Sequence, residues 1–355
     1  MKTMKKIAIV SHGLSNGGAE RVASILANEL DIRGYKVIFI AAYSKDREYE
    51  LNESVKYRYV NVSKKNKVAK LISRSRQINS IIRDFAAEVV ISFVINECLI
   101  TTLRKRIPII YTLRIDPSRK FKDIKDRVIG LNLYRMANAI VCQTNGAKDF
   151  FEEKIRKKSY VIANPIKDNL PYWKQENAKN QVITACRLSE QKNIPMLIDG
   201  FEILHSKFPN YRLIICGDGE EREYLEQYVN EKALEDCIDF LGHRTDIHEL
   251  IKESSIFALT SNYEGLSNSM LEALAMGIPC VCTDCPPGGA ADFINDKVNG
   301  YLVGLNDSRA LGEIFVELAS NPEVALKVSR NTGSIRMKLD KKSIIDSWIN
   351  VIEKV

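Results

Sequence analysis

Glu264 and Glu272 are the two residues whose types and spacing point most directly to chemistry. The apolar run 256–260 reads as a buried strand. The loop Ser261-Asn262-Tyr263-Glu264-Gly265-Leu266 follows it, and a helix is expected from about Asn268 to the stop at Gly277-Ile278-Pro279. One carboxylate then sits in the loop and the other one turn inside the helix. Ser267 or Asn268 can cap this helix. Its first N–H groups suit a diphosphate. Two acids beside a phosphate site cannot attract phosphate by charge, so they suit hydrogen bonds from sugar hydroxyls. A helix-dipole acid with a surface acid would give the same spacing.

Three further constellations sit at strand-to-helix turns. Arg187 directly follows the expected strand 182–185, and Lys192 is five residues on, before a helix. Two cations at a strand edge can neutralise a diphosphate leaving group without metal, or can be surface charges. Asn16-Gly17-Gly18-Ala19-Glu20 joins the first strand to the first helix. Its paired glycines let backbone approach phosphate, or serve a turn that needs positive φ. It is neither a dinucleotide fingerprint nor a Walker loop. Cys216-Gly217-Asp218-Gly219 ends a strand in the second half, where its glycines keep a crevice open or simply turn the chain.

The elements that must position these residues alternate strand and helix throughout. Strands are expected at 6–11, 36–42, 89–94, 107–113 and 139–143, and residues 57–62 alternate like another. The second half repeats the rhythm at 182–185, 212–216, 256–260, 279–283 and 300–303. Helices are expected at 17–34, 195–207, 220–234, 246–254 and 268–276, while 64–76 reads as loop and helix start. Such alternation implies parallel sheets covered on both faces. The expected division is 1–165, where Asn164-Pro165 breaks the structure, a linker at 166–180, a second domain at 181–335, and a C-terminal helix at 336–355 that packs back toward the first domain. Ligands in such folds bind at the carboxyl ends of the strands.

In this order and spacing the motifs resemble glycosyltransferase family 4, a family of retaining transferases with the GT-B fold. That α/β fold has two facing Rossmann-like, doubly wound domains with a deep cleft between them. The resemblance rests on Glu264 through Glu272, on Arg187 with Lys192, on Gly17-Gly18-Ala19-Glu20, on Gly217-Asp218-Gly219 and on Leu241-Gly242-His243. It implies that the first domain takes the acceptor and the second a nucleotide sugar. Arg187 and Lys192 would hold the donor diphosphate, with the amides of Leu266, Ser267 and Asn268. Glu264 would contact the donor sugar, and Glu272 the ribose hydroxyls. His243 and Arg244 lie where the base is held, Gly217 and Gly219 line the nucleotide half, and Gly17 and Gly18 would meet the phosphates on closure. The implied reaction moves a hexose or N-acetylhexosamine, with UDP-sugar as the expected donor, with retention and by same-face attack. The departing phosphate oxygen takes the acceptor proton. No metal or other cofactor is called for.

The chain departs from many family members where a histidine follows the fifth strand, since Arg114 and Asp116 stand there instead. This resembles the subgroup that builds bacterial capsule, O-antigen and glycan precursors. Arg114, Asp116 and His12 are the candidates for sugar or acceptor contact, although His12, ending a strand, is expected to be packed. Cys280-x-Cys282-x-x-Cys285 lies on a strand without an evident fourth ligand, so a thiol reading is preferred to a metal one. Pro286-Pro287-Gly288-Gly289 is expected to lead into a short helix near the diphosphate.

The 355 residues carry a net charge of +7. Met1–Leu170 holds 33 Lys and Arg against 17 Asp and Glu, a net of +16, and the remainder nets −9. The first half therefore suits an anionic partner. One basic cluster is Lys64, Lys65, Lys67, Lys70, Arg74 and Arg76. A second is Arg119, Lys120, Lys122, Lys125 and Arg127. With the resemblance, the expected partner is an anionic membrane carrying a polyprenyl-diphosphate-linked acceptor, or another glycan acceptor. Nucleic acid is not expected, since no recognition motif or aromatic platform is present. No apolar run approaches the ~18 residues of a membrane helix, and the start is too short for a signal peptide. The eight cysteines show no framework and read as buried free thiols. A cytoplasmic protein, peripheral at the inner membrane face, is expected. The rival readings are a sugar-nucleotide epimerase of the same fold and a subunit that has lost catalysis.

Overall fold

A computed structural model describes the chain from Lys5 to Val355 except Asn16, Lys65, Lys105 and Arg106, and gives backbone alone at Lys125 and Asp126. Asn16 of the first glycine turn, and Lys65 and the Lys125 side chain of the basic clusters, therefore lie outside the described residues. The chain divides into two units. The first runs to Asn164 and takes back Ile344–Val355, and the second is Pro165–Ser343.

The first unit is built on seven parallel strands: β1 (Lys6–Ser11), β2 (Lys36–Ala41), β3 (Lys56–Tyr59), β4 (Val89–Ser92), β5 (Ile109–Leu113), β6 (Ala139–Cys142) and β7 (Ser159–Val161). Their order is β3-β2-β1-β4-β5-β6-β7. Ile7, Ala8, Ile9 and Val10 are all 0% exposed, so neither face of β1 meets water. That explains why this strand is an unbroken apolar run rather than an alternating one. The basic stretch after β3 is a long helix, Lys67–Phe85, whose cap Asn66 accepts from the Val68 and Ala69 amides. The helix Lys341–Lys354 gives its later turns to this unit. Trp348 there is fully buried, with its ring stacked 6.4 Å from that of Phe93.

The second unit has six parallel strands: β8 (Lys179–Ala185), β9 (Arg212–Cys216), β10 (Ile238–Gly242), β11 (Ser254–Leu259), β12 (Cys280–Thr283) and β13 (Tyr301–Val303). Their order is β10-β9-β8-β11-β12-β13. The polar stretch before β8 is anchored on this unit. Trp173 donates its indole N–H to the Ser254 carbonyl at 2.7 Å and its backbone N–H to Met276 at 2.8 Å. The expected short helix after Pro286 is instead a run of turns, closed by local bonds such as those from Asp292 N–H to the Gly288 carbonyl at 3.1 Å and from Ile294 N–H to the Ala290 carbonyl at 2.8 Å.

Candidate functional site

The carboxyl edge of the second sheet is held by backbone before any side chain is considered. Cys186 N–H donates to the Cys216 carbonyl at 3.0 Å, Leu188 to Asp218 at 3.0 Å, Glu221 to Leu188 at 3.2 Å and Gly217 to Gly242 at 2.8 Å. The loops after β8, β9 and β10 are thereby fastened to one another. Gly217 has φ +131°, and a Cβ there would lie 1.8 Å from the Cys186 oxygen. A Cβ on Gly219 would lie 2.1 Å from the Leu188 oxygen. These glycines are required by the close approach of two loops.

Arg187 rises from this junction into solvent. Its side chain is 75% exposed and pairs with Glu220 at 3.3 Å. Lys192 behaves oppositely. It ends the 3₁₀ turn Glu190–Lys192 and donates to Glu264 Oε2, with both side chains largely buried. Burial pushes the Lys192 ammonium down, and the Glu264 carboxylate, with Cys186 and Cys285 adding, raises it above the ordinary lysine value. The structure thus brings Lys192 and Glu264 together, while Arg187 has a different partner.

The loop that carries Glu264 is sewn to the Lys192 turn. Asn262 N–H donates to the Gln191 carbonyl at 2.8 Å, and Gln191 Nε2 donates to the Tyr263 carbonyl at 2.9 Å. The Thr260 hydroxyl lies 3.0 and 3.1 Å from the Lys192 and Asn193 carbonyls. From the other side, Glu264 N–H donates to the Pro286 carbonyl at 3.0 Å, and a Cβ on Gly289 would lie 2.4 Å from the Gly265 oxygen. Gln191 and Ser261 also reach Glu264 Oε2, each at 3.5 Å.

The helix Asn268–Met276 starts immediately beyond. Ser267 is its cap, accepting from the Met270 amide at 3.3 Å, and Gly277 at φ +92° ends it. Leu266 is buried beneath the turn. Glu272, one turn in, is 5% exposed. Its Oε1 accepts the Lys167 amide at 3.3 Å, and its Oε2 meets His248 Nε2 at 2.8 Å. These two contacts orient the Glu272 carboxylate. His248, on the helix Ile247–Glu253, was missed in the sequence. Its only signal is a place in the first turn of an expected helix, and nothing local reveals that this helix neighbours Glu272. His243 and Arg244 follow β10 in exposed positions, and Arg244 holds Asp246 through two bonds of 2.8 and 2.6 Å.

The remaining candidates belong to the first unit. Gly17 caps the helix Gly18–Ile32 with extended backbone, φ −162°, so no positive φ is needed there and that account of the glycine pair fails. Its carbonyl accepts the Arg21 amide at 3.0 Å and the Tyr49 hydroxyl at 3.3 Å, and Gly18 is exposed. His12 is exposed rather than packed, with its ring stacked on Tyr43. Arg114 turns inward. Its Nη1 donates to Asn164 Oδ1 at 2.6 Å, and its guanidinium lies 5.3 Å from the Phe93 ring centre and 5.7 Å from that of Trp348. Its Nε and Nη2 are buried with no hydrogen-bond partner among the described residues, and burial lowers its pKa to about 10. The two rings are what the cation has in place of acceptors. Asp116 is buried and caps the helix Pro117–Lys120, accepting from the Ser118 amide at 2.9 Å and from its hydroxyl at 2.8 Å. All eight cysteines are free thiols. Burial pushes the Cys280, Cys282 and Cys285 thiols up.

The comparisons with known proteins divide at the same place as the units. The glycosyltransferase family 4 model matches residues 16–170, and the model for glycosyl transferases group 1 matches 168–334. An N-acetylgalactosaminyltransferase of Campylobacter jejuni that acts on a diphosphoundecaprenol-linked glycan is 26% identical, with 99% of each chain covered. The amylovoran biosynthesis glycosyltransferase AmsD of Erwinia amylovora is 24% identical, over 98% of this chain and all of its own. The crystal structure of Anabaena HepE in complex with UDP and glucose superposes with a TM-score of 0.81 at 18% identity, covering 99% of this chain and all of HepE, which shows the GT-B fold. With the two models together spanning residues 16–334, the chain belongs to the family 4 and group 1 glycosyltransferases and is a glycosyltransferase.

Proposed function

We propose that this glycosyltransferase moves a hexose or N-acetylhexosamine from a UDP-sugar to a lipid-linked or polysaccharide acceptor in bacterial surface-glycan synthesis, with retention and without metal. The buried Lys192–Glu264 pair beside the capped start of the Asn268–Met276 helix is the observation that carries this reading. Lys192 is held as a cation by its partner, and a helix start favours anions, so charge developing on a departing diphosphate meets fixed complements. Arg187, exposed at the same sheet edge, adds a second cation. Glu264 is available to sugar hydroxyls, and Glu272, oriented by His248, to the ribose. No residue is assigned as nucleophile or base, because the leaving phosphate oxygen can accept the acceptor proton. HepE was crystallised with UDP and glucose, and the Campylobacter relative uses a diphosphoundecaprenol-linked acceptor, which supports these substrate classes here.

The basic first unit is read as the membrane-facing part. Lys67 and Lys70 share their helix with exposed Val68 and Ile72, and the helix Ile124–Met136 exposes Ile124 and Val128 beside Arg127. Among the described residues no helix is long and apolar enough to cross a membrane. Reversible adhesion to an anionic surface fits this mixture, each basic residue contributing about 1 kcal/mol. Replacing Lys64, Lys65, Lys67 and Lys70 by Glu is expected to abolish sedimentation with anionic liposomes. Unchanged sedimentation would exclude this cluster as the contact.

The donor reading is tested by thermal shift in EDTA with UDP, GDP, ADP, UDP-sugars and NAD, on wild type and Glu272→Ala. A ligand at about 100 times its Kd adds roughly 2.7 kcal/mol, a shift of several degrees. A shift with UDP and its sugars that Glu272→Ala weakens is expected. A response to NAD alone, or to none, would overturn the reading.

A further inference from the structure

The first unit has a constellation that none of the motifs contains. It lies at the carboxyl edge of its sheet, where β1 and β4 are neighbours and their connections leave in opposite directions. His12 follows β1, Tyr43 lies two residues beyond β2, and Glu97 sits in the 3₁₀ turn Asn96–Cys98 after β4. The His12 and Tyr43 rings are stacked at 4.9 Å with 10° between their planes. The Arg74 guanidinium stands over the Tyr43 ring at 3.9 Å and donates through Nε to the Ala42 carbonyl at 2.8 Å. The Tyr43 hydroxyl donates to Glu97 Oε1, and Glu97 is only 4% exposed.

A buried carboxylate is costly, and packing an aromatic ring does not require one. Here it fixes the rotation of a ring that is itself 40% exposed. Burial, with Glu97 adding, pushes the Tyr43 phenol up to about 12, so it remains a neutral donor to that carboxylate at ordinary pH. The fixed ring, clamped by Arg74, sets the plane of the exposed His12 imidazole. The ring nitrogens of an imidazole can hydrogen-bond a hydroxyl, which both donates and accepts. The arrangement suits a polyhydroxylated sugar.

We infer that His12 contacts a hydroxyl of the acceptor sugar, and that Tyr43 and Glu97 are positioning residues that hold its ring for that contact. The inference rests on the transferase reading above and adds the acceptor-side residues to it. The test follows the His12 imidazole signals by NMR, assigned with His12→Asn, as farnesyl-diphosphate-linked N-acetylglucosamine and N-acetylgalactosamine are titrated in the presence of UDP. With only four histidines in the chain, the signals are few enough to assign. Saturable movement of the His12 signals is expected, at least tenfold weaker in Tyr43→Ala and Glu97→Ala and restored in Glu97→Gln, which keeps an acceptor for the phenol. In transfer assays with whichever probe turns over, the same variants should raise the acceptor KM about tenfold and leave the donor KM unchanged. Still His12 signals with both probes, or equal affinity in Tyr43→Ala, would overturn the inference. The UDP thermal shift separates the two failures: if it is present while His12 is silent, only this inference falls, and if it is absent, the donor reading falls as well.

Discussion

The two sheet edges solve the same problem by different means. At the second, charged groups are held by other charged or polar groups: Lys192 by Glu264, and Glu272 by His248 and the Lys167 amide. At the first, two side chains stand against rings, Arg114 against Phe93 and Trp348 and His12 against Tyr43, although Asn164 also bonds Arg114 and Ser118 holds Asp116. An ion pair binds its partner at a defined distance and can exchange it for a ligand of like charge. A ring fixes a plane and exchanges nothing. The ion-paired edge suits the proposed diphosphate, which would arrive charged and leave more charged. The ring-held edge suits the proposed hydroxyl, which is uncharged and whose direction matters.

Removing one member at each edge should break this contrast most sharply. Trp348→Ala takes a fully buried ring from the first unit and exposes the Arg114 guanidinium to a cavity. A loss of about 3–5 kcal/mol in urea unfolding is expected, with UDP binding unchanged at a temperature where the variant is folded. Lys192→Met leaves Glu264 largely buried without its cation, at about 3 kcal/mol of stability. It should also lower kcat by roughly 10²–10³, the usual cost of losing one preorganised electrostatic contact. A stable but inactive Lys192→Met would show that the pair serves chemistry alone. His248→Ala removes one partner of Glu272 and should weaken UDP binding by about 1–2 kcal/mol, read by calorimetry. Arg187→Ala is the smallest change for the fold, within about 0.5 kcal/mol because its pair is exposed. A fall in kcat/KM without a fall in stability is the expected signature.

The pH dependence sharpens the same contrast. The folded Lys192 pKa lies above the ordinary value of about 10.4, so the folded chain keeps a proton that the unfolded chain has lost in that window. The pair's contribution is complete below about pH 10 and declines as the pH rises through the folded value. Lys192→Met should flatten that alkaline decline in stability.

The legible part of the site was local. Glu264, Ser267 and Glu272 lie on one strand–loop–helix unit, so periodicity and a capping residue were enough to place them. The helix Asn268–Met276 has the bounds expected of it. What was illegible depends on distant partners. His248 matters because of Glu272, and Arg114 because of Trp348, more than two hundred residues away. Strands β7 and β10 went unread for a related reason. Both are edge strands, β7 has only three residues, and β10 holds Asp239 in a pair with Arg212 at 2.8 Å, so its pattern lacks the apolar run of the central strands. The turns after Pro286 misled because two prolines and two glycines suggest a helix entry, whereas Gly289 is there to lie against the Gly265 carbonyl.

The fastening of the loops after β8 and β9 has one more consequence. Their relative position is set by amide and carbonyl groups and by two absent side chains at Gly217 and Gly219. The side chains of Arg187 and Glu190 are thus passengers on a frame that does not depend on them, whereas Asp218 Oδ1 accepts the Gly219 amide at 2.8 Å and belongs to it. Variation at residues 187 and 190 should leave the scaffold undisturbed, while Gly217 and Gly219 should tolerate no variation at all. A library randomised at residues 187 and 190 would keep its folded fraction, and the same library at 217 and 219 would lose it.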